Sequence, residues 1–227
     1  MKDFGLQNGR RGGPFVETAV ALLNHRHLPG AHAWRHHGLG MLQTELTDTL
    51  RIHIWDPRLV SKEMMWPRCV HDHRFDIHSA VVAGELVDRP HLVHCDGHRT
   101  PPEPQWTNVN VWEIQHAKVQ DRLVRDGVSH ATAANLFSRG SVLKLPAVVW
   151  PAGSEYFIPR RQFHTTVVEE TAITVVHRSN FDDRPARILT GADVTAMALS
   201  GIVRDESQER AQLVARMLHD AALLLRG

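Results

Sequence analysis

Cysteine is scarce in this chain of 227 residues, which holds only Cys69 and Cys95. Two cysteines do not supply the disulfide framework on which small secreted proteins depend. Residues 1–13 also have no apolar stretch typical of a secretory signal. From these absences we expect a protein of the reducing cytoplasm.

Long hydrophobic runs and an excess of one charge are also missing. The apolar runs reach only about five residues, as at 221–225, whereas a membrane-spanning helix needs about 20. The 26 Lys and Arg residues nearly balance the 25 Asp and Glu residues, and the net charge is +1. The composition therefore predicts no membrane span and no broad electrostatic binding of nucleic acid.

Histidine, in contrast, is abundant, with 17 residues. Imidazole is the commonest metal ligand in proteins and also a general acid or base near neutral pH. Because the count alone does not define a site, the spacing of the histidines decides which of them are candidates.

The first part of the chain and its middle have different hydrophobic periods. Apolar residues follow Pro14 at helical spacing over residues 15–23, which predicts a helix. Residues 50–55 alternate as a strand does and end at a turn. From about 70 to 179 the chain consists of short alternating segments separated by turn residues. This pattern is typical of an all-β sandwich or barrel.

The last part of the chain is predicted to be helical. The helical spacing is weak over residues 191–199 and strong over 207–225, where an apolar stripe should pack on the barrel or on a partner subunit. We therefore expect a helical segment over 1–49, an all-β barrel over 50–185 and a C-terminal helical segment over 186–227.

The sharpest local motif is His71-Asp72-His73. Alternate side chains of a strand point to the same side, so His71 and His73 can present their imidazoles to one metal ion. By the same parity Asp72 points away from them. An isolated pair of this kind arises easily in a histidine-rich chain, and a metal site requires a second contribution from elsewhere.

That contribution comes from the segment GSEYFIPRRQFH, in which Gly153, Pro159, Arg161 and His164 mark a turn, a stiffened corner and the start of a strand. The spacing resembles the second motif of the cupin superfamily, a glycine followed by five residues, Pro-x-Gly, two residues and a histidine. Arg161 stands in place of the second glycine.

The first cupin motif is a glycine, HxH, a glutamate and another glycine, and this chain matches it in part. Met65 stands at the leading glycine, His78 at the glutamate, and Gly84 comes one residue early. The resemblance covers about half of the chain. It implies an all-β fold, the double-stranded β-helix or jelly-roll barrel.

The resemblance also implies a metal site. His71, His73 and His164 take the three histidine positions, and His78 falls at or beside the fourth. Three neutral ligands leave open positions for substrate and dioxygen, as in the thiol dioxygenases that share the cupin fold. Iron(II) suits this set best, although nickel, manganese, copper and zinc also accept imidazole ligands.

Several side chains are candidates for the wall of the cavity. Gln162 and Thr166 share the strand parity of His164, and Tyr156 shares it across the corner. Tyr156 is a candidate donor to bound oxygen or substrate, unless it only packs at the barrel rim.

Two arginines and a tryptophan complete the candidates. Arg161 precedes His164 and is a candidate to bind a carboxylate through two parallel hydrogen bonds, unless it faces solvent. Arg178 is expected near the cavity mouth, unless it forms an exposed ion pair. Trp112 lies on a strand whose inward face the sequence does not identify.

The expected function is a mononuclear iron(II) cupin oxygenase or dioxygenase that acts on a small polar molecule with dioxygen. Cupins commonly dimerise, and we expect a homodimer. A second interpretation is a 2-oxoglutarate-dependent oxygenase with His94 and Asp96 as an HxD pair, His164 as the distal histidine and Arg178 as the cosubstrate anchor. A third is a redox-neutral metal-dependent isomerase or lyase, and a fourth is a non-catalytic module that binds a metal ion or a small molecule.

Overall fold

The computed structural model describes residues 12–25, 34–37, 39–59, 69–95, 106–114, 132–195, 198–199 and 208–224. Within these ranges the protein is mostly β, with two antiparallel sheets and two helices. The all-β prediction is therefore confirmed, whereas the specific double-stranded β-helix topology stays a prediction. No helix among the described residues is long and apolar enough to cross a membrane.

The first sheet has six strands. Their order across the sheet is β1 (Arg35–His37), β2 (Met41–Glu45), β3 (Leu50–Trp55), β11 (Ala172–Ser179), β4 (Asp76–Ala83) and β9 (Glu155–Ile158). The strand predicted over residues 50–55 is confirmed as β3.

The second sheet is built on a path of five strands, and two short strands pair beside it. The path runs β10 (Phe163–Val167), β5 (Glu85–Cys95), β7 (Thr132–Lys144), β6 (Thr107–Ile114) and β12 (Arg187–Gly191), while β8 (Val148–Pro151) pairs with β5 and β13 (Ala198–Leu199) with β7. The two sheets thus include strands that come before residue 50 and after residue 185 in the chain, outside the range predicted for the barrel.

The two helices cover one face of the first sheet. Helix α1 spans Pro14–His25 and helix α2 spans Gln208–Leu224, close to the two predicted helices. Their apolar side chains, among them Ala19 and Met217, pack on Ile54 of β3 in one buried cluster. The apolar stripe of α2 therefore packs within the chain and does not provide a surface for a partner subunit. The expected homodimer stays a prediction.

The weak helix predicted over residues 191–199 is wrong. Strand β12 ends at Gly191, and Ala198 and Leu199 pair with β7. Hydrogen bonding to strands that are already in place outweighs a weak local preference for helix.

The space between the sheets is filled by a second apolar cluster. It joins Tyr156 and Ile158 of β9 and Val81 of β4 to Leu86 of β5 and Trp150 of β8. Because strand side chains alternate, these residues identify the inner face of each sheet. Side chains such as Ile54, which contact the helices, lie on the outer face of the first sheet.

Two glycines at positive φ provide a test of this packing. Gly84 joins β4 to β5 at φ 69°, and a Cβ there would lie 2.2 Å from the Thr171 carbonyl oxygen. Gly153 has φ 83°, and a Cβ there would meet nothing within 4 Å. We expect Gly153→Ala to lower the free energy of unfolding by about 1–2 kcal/mol, the cost of the left-handed backbone alone. Gly84→Ala should cost on the order of 3–5 kcal/mol.

Urea unfolding of the two variants measures the difference. Equal losses of stability would contradict the close approach of the Thr171 backbone to Gly84, since both positions carry the same backbone penalty.

Candidate metal centre

The segment that carries His71 lies between the two edge strands of the second sheet. The His71 amide donates to the His164 carbonyl at 3.0 Å, and the His164 amide donates to the His71 carbonyl at 2.9 Å. On the other side, the Leu189 amide of β12 donates to the Val70 carbonyl at 2.8 Å. These hydrogen bonds bring His71 beside a histidine that is distant in sequence.

Three histidines converge at this point. This confirms the prediction that the HxH pair lies close to the histidine at the end of GSEYFIPRRQFH. The ligand atoms of His71, His73 and His164 all lie within 4.8 Å of one another. The Nε2 atoms of His73 and His164 are 2.9 Å apart. His71 is 7% exposed and His164 is 3% exposed, so the group is shielded from solvent.

One pair of nitrogens in the group is spaced as two ligands of one metal ion would be. Two imidazole nitrogens that bind one ion at about 2.0–2.1 Å lie about 3.3 Å apart at the tetrahedral angle that zinc prefers and about 2.9 Å apart at the right angle of octahedral coordination. The 2.9 Å separation of the His73 and His164 Nε2 atoms matches the second value. Without an ion, two buried nitrogens at this distance satisfy each other only as a donor and an acceptor.

The opposite ring nitrogens of two histidines are held by oxygen atoms. His71 Nδ1 lies 3.1 Å from the Cys69 carbonyl oxygen, and His164 Nδ1 lies 2.7 Å from Asp88 Oδ1. A carbonyl and a carboxylate only accept hydrogen bonds, so both Nδ1 atoms carry the proton. The Nε2 lone pairs of His71 and His164 are then available to a metal.

The electrostatics of the group favour metal binding at neutral pH. Burial lowers the pKa of His71 well below its usual value, and His164 lowers it further. Burial also lowers the pKa of His73, with added effects from His71 and His164. Both imidazoles are therefore neutral near pH 7, the form in which histidine binds metals.

Asp88 is the functional residue that sequence reasoning missed. It lies on the inner face of β5, is 5% exposed, and accepts from His164 Nδ1 and, at 3.4 Å, from Thr166 Oγ1. The register of β10 against β5 places Thr166 opposite Asp88. An acidic residue within the alternating segment ELVDRP was the available signal, but only the strand register identifies its partner.

Substitution of Asp88 tests its role. Asp88→Asn removes the charge that holds the His164 ring, and we expect metal affinity to fall about 10-fold or more. Asp76→Asn is the matched control, since Asp76 is also buried but accepts from the Arg160 amide and from Asn180. Competition with a chelator measures both affinities, and equal values for the two variants would contradict the role of Asp88.

His78 lies outside the three-histidine group. It is on β4 between the inner residues Ile77 and Ser79, so its side chain points to the opposite face, toward α1. Its ring stacks on Phe15 at 4.6 Å between centroids, and its Nε2 lies 3.3 Å from Glu155 Oε2. Among the described residues, no fourth histidine, cysteine or carboxylate joins the ligand group.

Two aromatic candidates lie on inner faces as packing residues. Tyr156 is buried and stacks on Trp150 at 5.3 Å between ring centroids, and burial raises its pKa. Trp112 donates from Nε1 to Thr190 Oγ1 at 2.9 Å and packs against Ile188, which pairs with His71. The structure thus identifies the inward face of β6, which the sequence left open.

Arg161 holds a neighbouring segment of the protein. Its guanidinium donates to Asp182 Oδ2 at 3.1 Å and to the carbonyls of Arg184 and Pro185 at 2.6 and 2.5 Å. Its φ is 67°, a left-handed value that glycine adopts more readily than arginine. Its contacts are structural, and the chain uses it to anchor the segment before β12.

Gln162 borders a different cavity. This cavity has a volume of about 580 Å³ and lies against β5 and β10, with His91, Phe163 and Arg187 in its wall. None of the three grouped histidines is among its lining residues. The structure therefore places Gln162 beside this second cavity, whereas Thr166 accompanies His164.

Asp72 faces away from the two histidines, as its strand parity predicted. It accepts from the Arg187 amide at 2.6 Å and from Arg187 Nε at 2.8 Å. The HxD interpretation falls partly outside the described residues, because Asp96 is not described. His94 lies on β5 rather than in a loop and is not a member of the ligand group.

Comparison with known proteins adds no assignment: no family model matches this chain, and no curated protein is significantly similar to it. The function is therefore inferred from the site itself.

Proposed function

We propose that this protein is a mononuclear non-haem iron(II) oxygenase of the cupin type that oxidises a small molecule with dioxygen. One observation carries the proposal: three imidazoles converge at a buried point, and no carboxylate of the described residues joins them. Neutral ligands leave the full positive charge on the ion, and three ligands leave coordination positions open.

The choice of iron rests on ligand chemistry and on the sequence resemblance. Imidazole suits iron, zinc, copper and nickel, and affinity alone does not select among them. The HxH and second-motif spacings resemble those of cupins that use three histidines to activate dioxygen. When bound, iron(II) supplies open positions and an electron source for dioxygen.

The chain itself orients the ligands and excludes water. Asp88 and the Cys69 carbonyl fix the rings of His164 and His71. Trp112 and Ile188 pack together beside His71 and limit solvent access from that side. These contacts fix two of the three rings before any ligand binds, which reduces reorganisation during the reaction.

Oxygen consumption tests the proposal. The full chain is loaded anaerobically with iron(II), then exposed to dioxygen with amino acids, thiols and catechol-like acids as candidate substrates. We expect substrate-dependent oxygen uptake that His73→Ala abolishes and His219→Ala, on the exposed side of α2, leaves unchanged. Stoichiometric iron with no uptake for any of these substrates would argue against an oxygenase and favour a redox-neutral or binding role.

A further inference from the structure

A group of basic side chains lies on the inner face of the first sheet. Arg51 and His53 alternate on β3 with Ile52 and Ile54, which pack toward the helices. On the neighbouring strand β11, Arg178 shares this inner face with Thr174 and Val176. The register places Arg51 opposite Val176 and His53 opposite Thr174, so Arg51 lies between His53 and Arg178 on this face.

Each of the three side chains has a buried nitrogen without a partner. Among the described residues, no hydrogen-bond acceptor reaches Arg51 Nε, His53 Nε2 or Arg178 Nε. His53 and Arg178 are each 8% exposed. Buried polar groups in native proteins are nearly always hydrogen-bonded, so three orphaned nitrogens on one face indicate a missing acceptor.

The acceptors that are present engage the other nitrogens. Arg51 binds Glu45 through Nη2 at 2.5 Å and Gln43 through Nη1 at 3.5 Å. Arg178 donates from Nη2 to the Asp48 carbonyl and lies 3.9 Å from Glu45. Glu45 at the end of β2 and Asp48 in the turn to β3 are exposed. These contacts hold the guanidinium groups in place and leave their Nε atoms on the buried side.

The group is close to the metal centre. The ring of Phe75 lies 5.4 Å from the His73 ring and 5.3 Å from Arg178 Cζ, so that carbon is within about 11 Å of the His73 ring. Phe181 covers Arg178 at 5.6 Å. Burial, and then the nearby Arg51, lower the pKa of Arg178 to about 10, because the buried positive charge is not fully compensated by its acidic neighbours.

We propose that Arg178, Arg51 and His53 form a carboxylate-binding site beside the three-histidine group, and that the substrate is a small carboxylic acid. The role of this acid as a substrate rests on the proposed oxygenase function, whereas its binding does not. Two guanidinium Nε–H groups and a neutral imidazole protonated on Nε2 supply three donors to two carboxylate oxygens. The rings of Phe75 and Phe181 suit an apolar part of the same molecule.

Binding of carboxylates and their neutral amides to the full-length, metal-free protein tests this site. The probes are two matched pairs, benzoate with benzamide and propionate with propionamide, measured by calorimetric titration. We expect the acid of at least one pair to bind at least about 10-fold more tightly than its amide. No preference for either acid, or no binding by any probe, would overturn the proposal.

Variants locate the site on the inner face. Arg178→Met keeps much of the side-chain volume and should weaken carboxylate binding about 10-fold or more, while Arg178→Lys should lose less. Arg216→Met, on the exposed side of α2, is the matched control and should bind as the parent does. Undiminished binding by a folded Arg178→Met protein would overturn the assignment. If that variant does not fold, the acid-to-amide comparison in the parent protein remains decisive.

The outcomes also separate this inference from the proposed function. Carboxylate binding without oxygen uptake would support the anion site and reject the oxygenase. Oxygen uptake with substrates that have no carboxylate, together with no preference for either acid over its amide, would support the oxygenase and reject the anion site.

Discussion

Replacement of His164 by alanine is expected to abolish stoichiometric binding of divalent metal ions. His164 supplies one of three converging nitrogens, and its Nε2 lies 2.9 Å from that of His73. The loss of metal affinity should be larger than the loss of about 10–100-fold that is typical when a residue that only orients a ligand is changed. Because the substitution also leaves the buried Asp88 with only its long hydrogen bond from Thr166, it should cost about 1–3 kcal/mol of stability.

Metal analysis after purification without added metal, followed by titration with iron(II) and zinc, measures the effect. With 17 histidines the chain offers many weak sites, so matched histidine variants are needed. His78→Ala should keep the parent affinity because His78 faces α1, and His219→Ala should do the same. Unchanged stoichiometry in His164→Ala, or loss of metal in His78→Ala, would contradict the three-histidine centre.

A steep loss of stability in acid is the second large effect that we expect from the metal-free protein. Burial lowers the pKa of His53, His71 and His73 well below the usual value of 6.5, and lowers that of His91 to about 4. The unfolded chain therefore binds protons at these positions below pH 6.5 while the folded protein does not. Stability is full above pH 6.5 and falls as the pH decreases toward the folded-state values.

The slope of this loss can be measured by urea unfolding at several pH values between about 5 and 8. Each histidine contributes about 1.4 kcal/mol per pH unit where only the unfolded state is protonated, so His53, His71 and His73 together give about 4 kcal/mol per pH unit, and His91 adds to this slope above its folded-state pKa. His53→Leu should remove one such contribution. A stability that is flat from pH 7 to about 5 would contradict the buried, neutral state of these histidines.

The convergence of His71, His73 and His164 could be predicted from the sequence because the signals for it are local. The HxH prediction assumed strand alternation, and in the structure His71 forms only isolated β-bridges, to His164 and Ile188. The spacing from Gly153 to His164 encodes a turn and a corner, with positive φ at both Gly153 and Arg161. The role of Asp88 depends on the register of β10 against β5 and has no local signal. The same is true of His78, whose placement depends on which face of β4 meets α1.

By itself the sequence determined the mostly β fold, the two principal helices, the strand at 50–55 and the three histidines that meet. These features depend on side-chain period and turn geometry within short stretches. Only the tertiary structure decided that Asp88 supports His164, that Arg161 anchors a neighbouring segment, and that Arg51, His53 and Arg178 share an inner face. Such groupings arise from pairing between strands far apart in the chain, and the register that sets them is a property of the packed sheets.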